Sequence, residues 1–212
     1  MTEYLTEQEQ IELLKQWIKQ YSLVILAGLV ISLITITGWR YWQTRQLRIL
    51  NHASAVYDDM LTARAQNDSA ATRIQSDKLF SHYSSTTYAQ LAALMLARDA
   101  ANQKNYTEAE KQLQWTLDNS SIESIRQVAR IRLARIYINE NKPEAALKIL
   151  ETVEDKSFSG LTDEVRGDAW FAMKNTAKAR EAYQQALKEL PNAEVIRPLL
   201  QMKFDNLAPS AA

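Results

Sequence analysis

The sequence predicts an all-α protein: a single N-terminal transmembrane helix followed by a solenoid of helical hairpins. Three observations carry that expectation. Helix breakers are scarce, with four glycines and four prolines in 212 residues, while Ala, Leu, Gln, Glu and Lys, all good helix formers, are plentiful. One apolar run, YSLVILAGLVISLITITGWRYW at residues 21–42, holds no charge before Arg40. Small and aromatic residues then recur at a steady interval through the C-terminal half.

Composition narrows the function classes. Charged residues make up 24% and hydrophobic residues 46% of the chain, which fits a folded protein rather than a disordered one. Lys and Arg total 25, as do Asp and Glu, so no global field draws the chain to nucleic acid. With no cysteine, disulfides and thiolate metal sites are excluded.

Residues 1–20 read as a short amphipathic tail helix. Thr6-Glu7-Gln8-Glu9 fits a capping box, and Ile11, Leu14, Trp17, Ile18 and Tyr21 follow helical spacing. From Gln20 to Trp39 about 20 uncharged residues would rise roughly 30 Å as a helix, the thickness of a bilayer's hydrocarbon core. Trp17 and Tyr21 flank one end of residues 21–42; Trp39, Tyr41 and Trp42 flank the other. These rings favour the headgroup level, and the stems of Lys19 and Arg40 can snorkel toward it. A cleaved signal peptide would have a basic leader and a small-residue cleavage site. Here the leader carries Glu3, Glu7, Glu9 and Glu12, and bulky residues follow the core. Gly28, Ser32 and Thr35 give the span one face of small residues against which another helix could pack. Flanking charge leans slightly toward a cytoplasmic C-terminal domain, because Arg40, Arg45 and Arg48 lie on that side against Lys15 and Lys19.

Residues 43–85 form a membrane-proximal helical segment. No breaker interrupts Gln43 to Gln66, so the helix is expected to run on past the span, to a loop at Asn67-Asp68-Ser69. From residue 86 to 207 helices of about 10 to 17 residues follow with short joints. Capping boxes are expected at Thr87–Gln90, Thr107–Glu110 and Ser120–Glu123, and Pro143 fits a first turn. Leu96-Ala97-Arg98 with Tyr106, Ala109 and Leu113 forms one unit. Leu133-Ala134-Arg135 with Tyr137, Ala145 and Ile149 forms a second. Gly167, Trp170, Ala179, Tyr183, Ala186 and Pro191 form a third. The third resembles the tetratricopeptide pattern, in which small residues let two helices cross closely and aromatics fill the space around them. A helix from Val195 to Leu207, with Ile196, Met202, Phe204 and Leu207 as its apolar residues, would cap the stack, leaving 208–212 as a disordered tail.

Catalytic chemistry finds few candidates. His52 and His82 are thirty residues apart, Asp58 and Asp59 point about 100° apart on a helix, and no Gly-rich loop follows a strand. Asp163, Glu164 and Asp168 are expected near a helix start, where negative charge complements the macrodipole. No cofactor and no metal site are expected. Arg126 and Arg130 share one helix face, and Arg132 and Arg135 another. They read either as a solvated helix paired with Glu108, Glu123 or Glu164, or as a docking patch for an acidic segment. Trp170 and Phe171 are neighbours, so one is expected in the core and the other, Phe171, toward a binding groove.

Taken in order, GWRYW at 38–42, RLAR at 132–135, AALK at 145–148, VRGD at 165–168 and QMKFDNL at 201–207 resemble the YfgM-type ancillary subunit of the bacterial SecYEG translocon. The resemblance runs over nearly the whole chain. It implies a single-pass bacterial inner-membrane protein with a cytoplasmic N-terminus and a periplasmic repeat domain, against the slight lean of the flanking charges. It implies as partners the SecYEG translocon, the lipid bilayer and a membrane-anchored periplasmic chaperone of the prolyl-isomerase type, with no nucleic acid and no enzyme activity. The implied work is handing translocated proteins to the periplasmic chaperone network. An alternative with the same solenoid is a periplasmic scaffold for cell-envelope or division machinery.

Overall fold

The coordinates are a computed structural model describing residues 7–153, 155–190 and 196–207. Regular structure among them is helical throughout. The chain divides into two compact units, Met1–His52 and Ala53–Ala212.

The first unit is built on α1 (Glu7–Ala65), a helix of 59 residues whose last turns belong to the second unit. Its described side chains from Gln10 to Arg48 are exposed. Its two stretches, Gln10–Val24 and Leu26–Ala65, meet at 49°. Among the described residues no single helix is long and apolar enough to cross a membrane, but this bent pair satisfies length and composition together. The helix expected to run unbroken over 21–42 is therefore bent. Just before the bend the Ser22 hydroxyl donates to the Lys19 carbonyl at 3.1 Å, the kind of back-bond that bends helices.

The second unit is a stack of helical hairpins. The end of α1 shares a buried cluster with α2 (Ser69–His82). Then come α3 (Thr87–Asn102) with α4 (Tyr106–Asn119), α5 (Glu123–Asn139) with α6 (Pro143–Leu150), and α7 (Ser159–Ala172) with α8 (Thr176–Glu189). A 3₁₀ turn, Lys156–Phe158, leads into α7, and α9 (Arg197–Asp205) packs on α8. The tract from Ala53 to Tyr83, set apart from the repeats in the sequence reading, packs with them. Ala53 and Met60 are fully buried in one cluster with Leu79, Ala89 and Ala92, and Tyr57 stacks tilted on Tyr88 at 5.7 Å.

One joint recurs in all four hairpins. Asn67, Lys104, Asn141 and Lys174 have φ of 58°, 60°, 58° and 61°. Each next amide bonds five residues back: Asp68 to Ala63, Asn105 to Ala100, Lys142 to Tyr137 and Asn175 to Trp170, at 2.8–2.9 Å. This left-handed closure satisfies the carbonyls orphaned at a helix end. A non-glycine residue there costs about 1–2 kcal/mol, and the joint is retained because it aims the next helix back along the first. The following residue is the N-cap. Asp68, Asn105 and Asn175 accept from the amides of Ala71, Glu108 and Lys178. Lys142 has no acceptor, and there Pro143 at the first turn removes one orphan donor instead, as the sequence indicated.

These joints shift the expected capping boxes. Thr86 rather than Thr87 caps α3, Asn105 rather than Thr107 caps α4, and α5 begins after Ile122 without a side-chain cap. The geometry of the preceding turn sets the entry point, and Asn accepts as well as Ser or Thr there. Gln90 and Ser120 bond each other at 3.1 Å instead, tying α3 to the α4–α5 connection. The expected Thr6 cap lies outside the described residues. The loop at 67–69 is shorter than expected, since Ser69 already opens α2.

Close crossing works as the spacing implied. Ala97 and Ala134 are buried at 2% and 0% exposure. A Cβ built on Gly167 would sit 2.3 Å from the Tyr183 ring, so any larger residue would have to displace that ring where α7 crosses α8. At the far end Leu200, not Met202, is the buried residue of α9; Met202 faces outward while Phe204 and Leu207 pack inward. Val195 lies outside the described residues.

Gly167→Ala gains helix propensity of about 1 kcal/mol but drives a methyl into an aromatic ring, an overpacking cost of about 1–3 kcal/mol. Urea unfolding of the full chain in detergent is expected to show net destabilisation. Gly160→Ala, whose Cβ meets the Leu190 side chain at 2.5 Å, is expected to cost less, because an aliphatic side chain turns aside more easily than a packed ring.

Candidate functional site

The residues singled out in the sequence fall on two surfaces, one on each unit. On α1 the expected interfacial aromatics form two pairs. Trp17 and Tyr21 lie with ring centroids 5.5 Å apart, as do Trp39 and Trp42, and Tyr41 and Arg40 are exposed beside the second pair. Between them the hydroxyls turn back on the helix. Ser32 donates to Gly28 O at 2.8 Å, Thr35 to Ile31 O at 2.8 Å and Thr37 to Leu33 O at 2.7 Å. The small-residue face at Gly28, Ser32 and Thr35 is exposed, with nothing within 4 Å of a Cβ built on Gly28. Each polar hydrogen there is satisfied inside the helix, so the surface offers only apolar groups and small side chains to its surroundings.

On the hairpin stack the charged residues are more organised than the sequence indicated. Arg126 and Arg130 both pair with Glu123, at 3.4 Å and 2.6 Å. Arg135 pairs with Glu164 at 2.9 Å. Glu108, expected as a partner of this group, pairs instead with Lys111 and Gln112 on its own helix. Arg132 has a different role: its Nη1 donates to the Leu94 carbonyl at 3.1 Å, bridging α5 to α3. Burial and the like charges of Arg98 and Arg135 push its guanidinium below the usual arginine range.

Asp163, Glu164 and Asp168 lie further into their helix than the expected start and are held by more than its macrodipole. α7 begins at Ser159, which places Asp163 and Glu164 in its second turn, at 7% and 4% exposure. Asp163 is bridged by Arg166, and burial raises its carboxyl above the ordinary range. The sequence reading missed the reason the other two are tolerated. Lys203 of α9 reaches across to both, 2.9 Å from Glu164 and 2.8 Å from Asp168, and Tyr183 donates its hydroxyl to Asp168 at 2.7 Å. Burial alone would lower Lys203, but its bonds to the two carboxylates raise it. Burial and the Asp168 bond push the Tyr183 phenol upward. Lys203 lies inside the QMKFDNL stretch, and that was the available signal. A second unforeseen clamp joins α1 to α3, where Arg64 grips Asp99 with both bonds at 2.6 Å. That bond holds the Asp99 carboxyl below its ordinary range despite burial.

Trp170 is half-buried with Lys178 over its ring at 4.2 Å, while Phe171 is 55% exposed. His52 and His82 are both exposed. Among the described residues no three His, Asp or Glu side chains converge as a metal site requires.

Repeated hairpins with one joint and small residues at each crossing define a tetratricopeptide-repeat-like protein. A family model described as a tetratricopeptide repeat-like domain matches residues 15–209. Curated relatives named ancillary SecYEG translocon subunit match along almost the whole chain. That of Neisseria gonorrhoeae (strain ATCC 700825 / FA 1090) is 31% identical, over 98% of this chain and 100% of the relative. That of Escherichia coli (strain K12) is 27% identical over 97% and 98%, and that of Haemophilus influenzae (strain ATCC 51907 / DSM 11121 / KW20 / Rd) 27% over 95% and 97%. No solved structure matches the chain. The chain belongs to the family of ancillary SecYEG translocon subunits, built on a tetratricopeptide repeat-like domain, as the GWRYW and QMKFDNL stretches implied.

The charge clamps predict stability. Lys203→Met would strip Asp168 of its cation and leave Glu164 to Arg135 alone, and the free energy of unfolding in urea is expected to fall by about 3 kcal/mol. Because the folded pKa of Lys203 is raised, its contribution is complete below about pH 10.4 and fades as pH climbs through the folded value. Asp99 is lowered, so its contribution is present above about pH 4 and fades as pH falls through the folded value. Asp99→Asn is expected to flatten the acid side of the stability profile, read by thermal unfolding at stepped pH.

Proposed function

We propose that this chain is a non-enzymatic accessory subunit of the SecYEG translocon, anchored in the bacterial inner membrane by α1. Its hairpin stack lies in the periplasm and its N-terminus in the cytoplasm. Beside the translocon it binds a membrane-anchored chaperone of the prolyl-isomerase type and passes emerging polypeptides to the periplasmic chaperone network. Trp17, Tyr21, Trp39, Arg40, Tyr41 and Trp42 sit at the two headgroup levels, and Gly28, Ser32 and Thr35 face a lipid-embedded partner.

The observation that carries the reading is the pairing of two surfaces on one chain whose relatives bear the translocon name. One is an exposed apolar helix with internally satisfied hydroxyls, which suits a bilayer. The other is a repeat stack, the architecture that grips extended chains without chemistry. An exposed aromatic such as Phe171 suits contact with an unfolded or partner segment.

Affinity purification of the full chain from mild detergent is expected to recover translocon and chaperone subunits together. Deletion of residues 1–42 is expected to lose the translocon and retain the chaperone, detected by mass spectrometry. Recovery of neither partner by the full chain would contradict the proposal; recovery of division or cell-wall proteins in their stead would favour the envelope scaffold.

A further inference from the structure

We propose that the face formed by the first helices of the hairpins holds a docking site for an acidic stretch of polypeptide, centred on Arg98, Arg132 and Arg135. The proposal rests on the accessory-subunit reading for the presence of polypeptide partners; its chemistry rests on the side chains.

The hairpin joints place these residues in register. Arg98, Arg135 and Asp168 each lie six residues before the left-handed residue of their joint: Lys104, Asn141 and Lys174. They therefore occupy equivalent positions on α3, α5 and α7, which neighbour one another in that order. Arg132 lies nine residues before Asn141, one turn along the same face.

Charge along this face is balanced at both ends and unbalanced in the middle. At one end Asp99 has each of its oxygens bonded by Arg64 at 2.6 Å. At the other end Lys203 sits between Glu164 and Asp168. Arg98, 57% exposed at its side chain, has among the described residues only the already engaged Asp99 at 3.6 Å. Arg135 shares Glu164 with Lys203. Arg132 has no carboxylate partner among the described residues, and its bond to the Leu94 carbonyl fixes the guanidinium between α3 and α5. Three guanidiniums are thus held together with two shared carboxylates between them, both committed elsewhere. A guanidinium presents five N–H donors, so a visiting carboxylate finds bidentate partners that are already oriented.

The surroundings favour a polypeptide over other anions. Leu91 is 40% exposed and Met95 half-buried, thirteen and nine residues before Lys104 on α3. They flank the arginines with apolar surface suited to a Leu or Val beside an acidic residue. A nucleic acid would require a longer basic track with stacking aromatics, and the neutral net charge of the chain gives it no general attraction to a phosphate surface.

The test uses the full chain in zwitterionic detergent and a dye-labelled peptide alternating pairs of Glu with Leu, compared by fluorescence anisotropy with the same peptide carrying Gln for Glu. The Glu peptide is expected to bind, more weakly as salt rises, and the Gln peptide to bind at least tenfold more weakly. Arg98→Gln and Arg132→Gln are each expected to weaken the Glu peptide about tenfold, the loss of one charge-assisted pair. Arg126→Gln and Arg130→Gln, whose side chains belong to Glu123, are expected to leave it unchanged. Among the described residues Arg98 makes no hydrogen bond or ion pair that bridges helices, so Arg98→Gln remains informative if Arg132→Gln disturbs folding. Equal binding of the two peptides, or binding indifferent to Arg98→Gln, would overturn the site. So would Arg98-dependent binding to phosphatidylglycerol vesicles without Arg98-dependent peptide binding. Co-purification of the translocon with the same variants separates the two readings. Retained translocon with Arg98-independent peptide binding defeats the site alone; Arg98-dependent peptide binding by a chain that never recovers the translocon defeats the accessory reading alone.

Discussion

From Leu26 to Trp42 the large apolar side chains of α1 all face outward, most of them more than half exposed, and what satisfies them decides the rest of the protein's arrangement. Burying one such side chain is worth about 1.5–3 kcal/mol. Ten of them amount to something on the order of 20 kcal/mol in favour of leaving water for an apolar surrounding. That exposure is the same in the unfolded chain, so folding of the hairpin stack neither relieves it nor has to offset it. A hydrocarbon layer removes it at once, and the back-bonded hydroxyls of Ser32, Thr35 and Thr37 leave little polar surface to oppose the transfer.

The hairpin stack solves a different problem: many short helices, each too short to be stable alone, must align reproducibly. Repetition of one joint does this. The left-handed residue and its five-back hydrogen bond return four times, 37, 37 and 33 residues apart. Register between hairpins is then enforced by ion pairs that cross between them: Arg64 with Asp99, Arg135 with Glu164, and Lys203 with Glu164 and Asp168. Losing one partner of such a pair is costly because the carboxylate left behind is largely shielded from water, and the pairs explain how buried acids are accommodated in a helix interior.

Much of this was legible in the chain. The apolar run, the Ala97, Ala134 and Gly167 spacing and the Pro143 start are local signals, each fixed by a few neighbouring residues. The features that escaped are long-range. Lys203 lies 35 residues or more from the carboxylates it neutralises, and no helical period links them. Asp163 and Glu164 read as first-turn charges because the short 3₁₀ turn before α7, which pushes them inward, leaves no strong mark. The first hairpin was overlooked because Met60 stands where the others have Ala or Gly, so the small-residue signature is missing although the joint at Asn67 is the same. Arg98 was read only as part of a repeat motif, and its place beside Arg132 emerged from the packing of α3 on α5.

The central claim of the proposed function is that α1 crosses a lipid bilayer, with the N-terminal end of the chain on one side and the hairpin stack on the other. Because the chain has no cysteine, single cysteines report position cleanly. Glu12→Cys and Ser124→Cys, each at an exposed site, would be treated in intact spheroplasts with a membrane-impermeant maleimide. Labelling at 124 before lysis and at 12 only after it is the expected result. Labelling of both positions before lysis, or of 12 alone, would contradict the account.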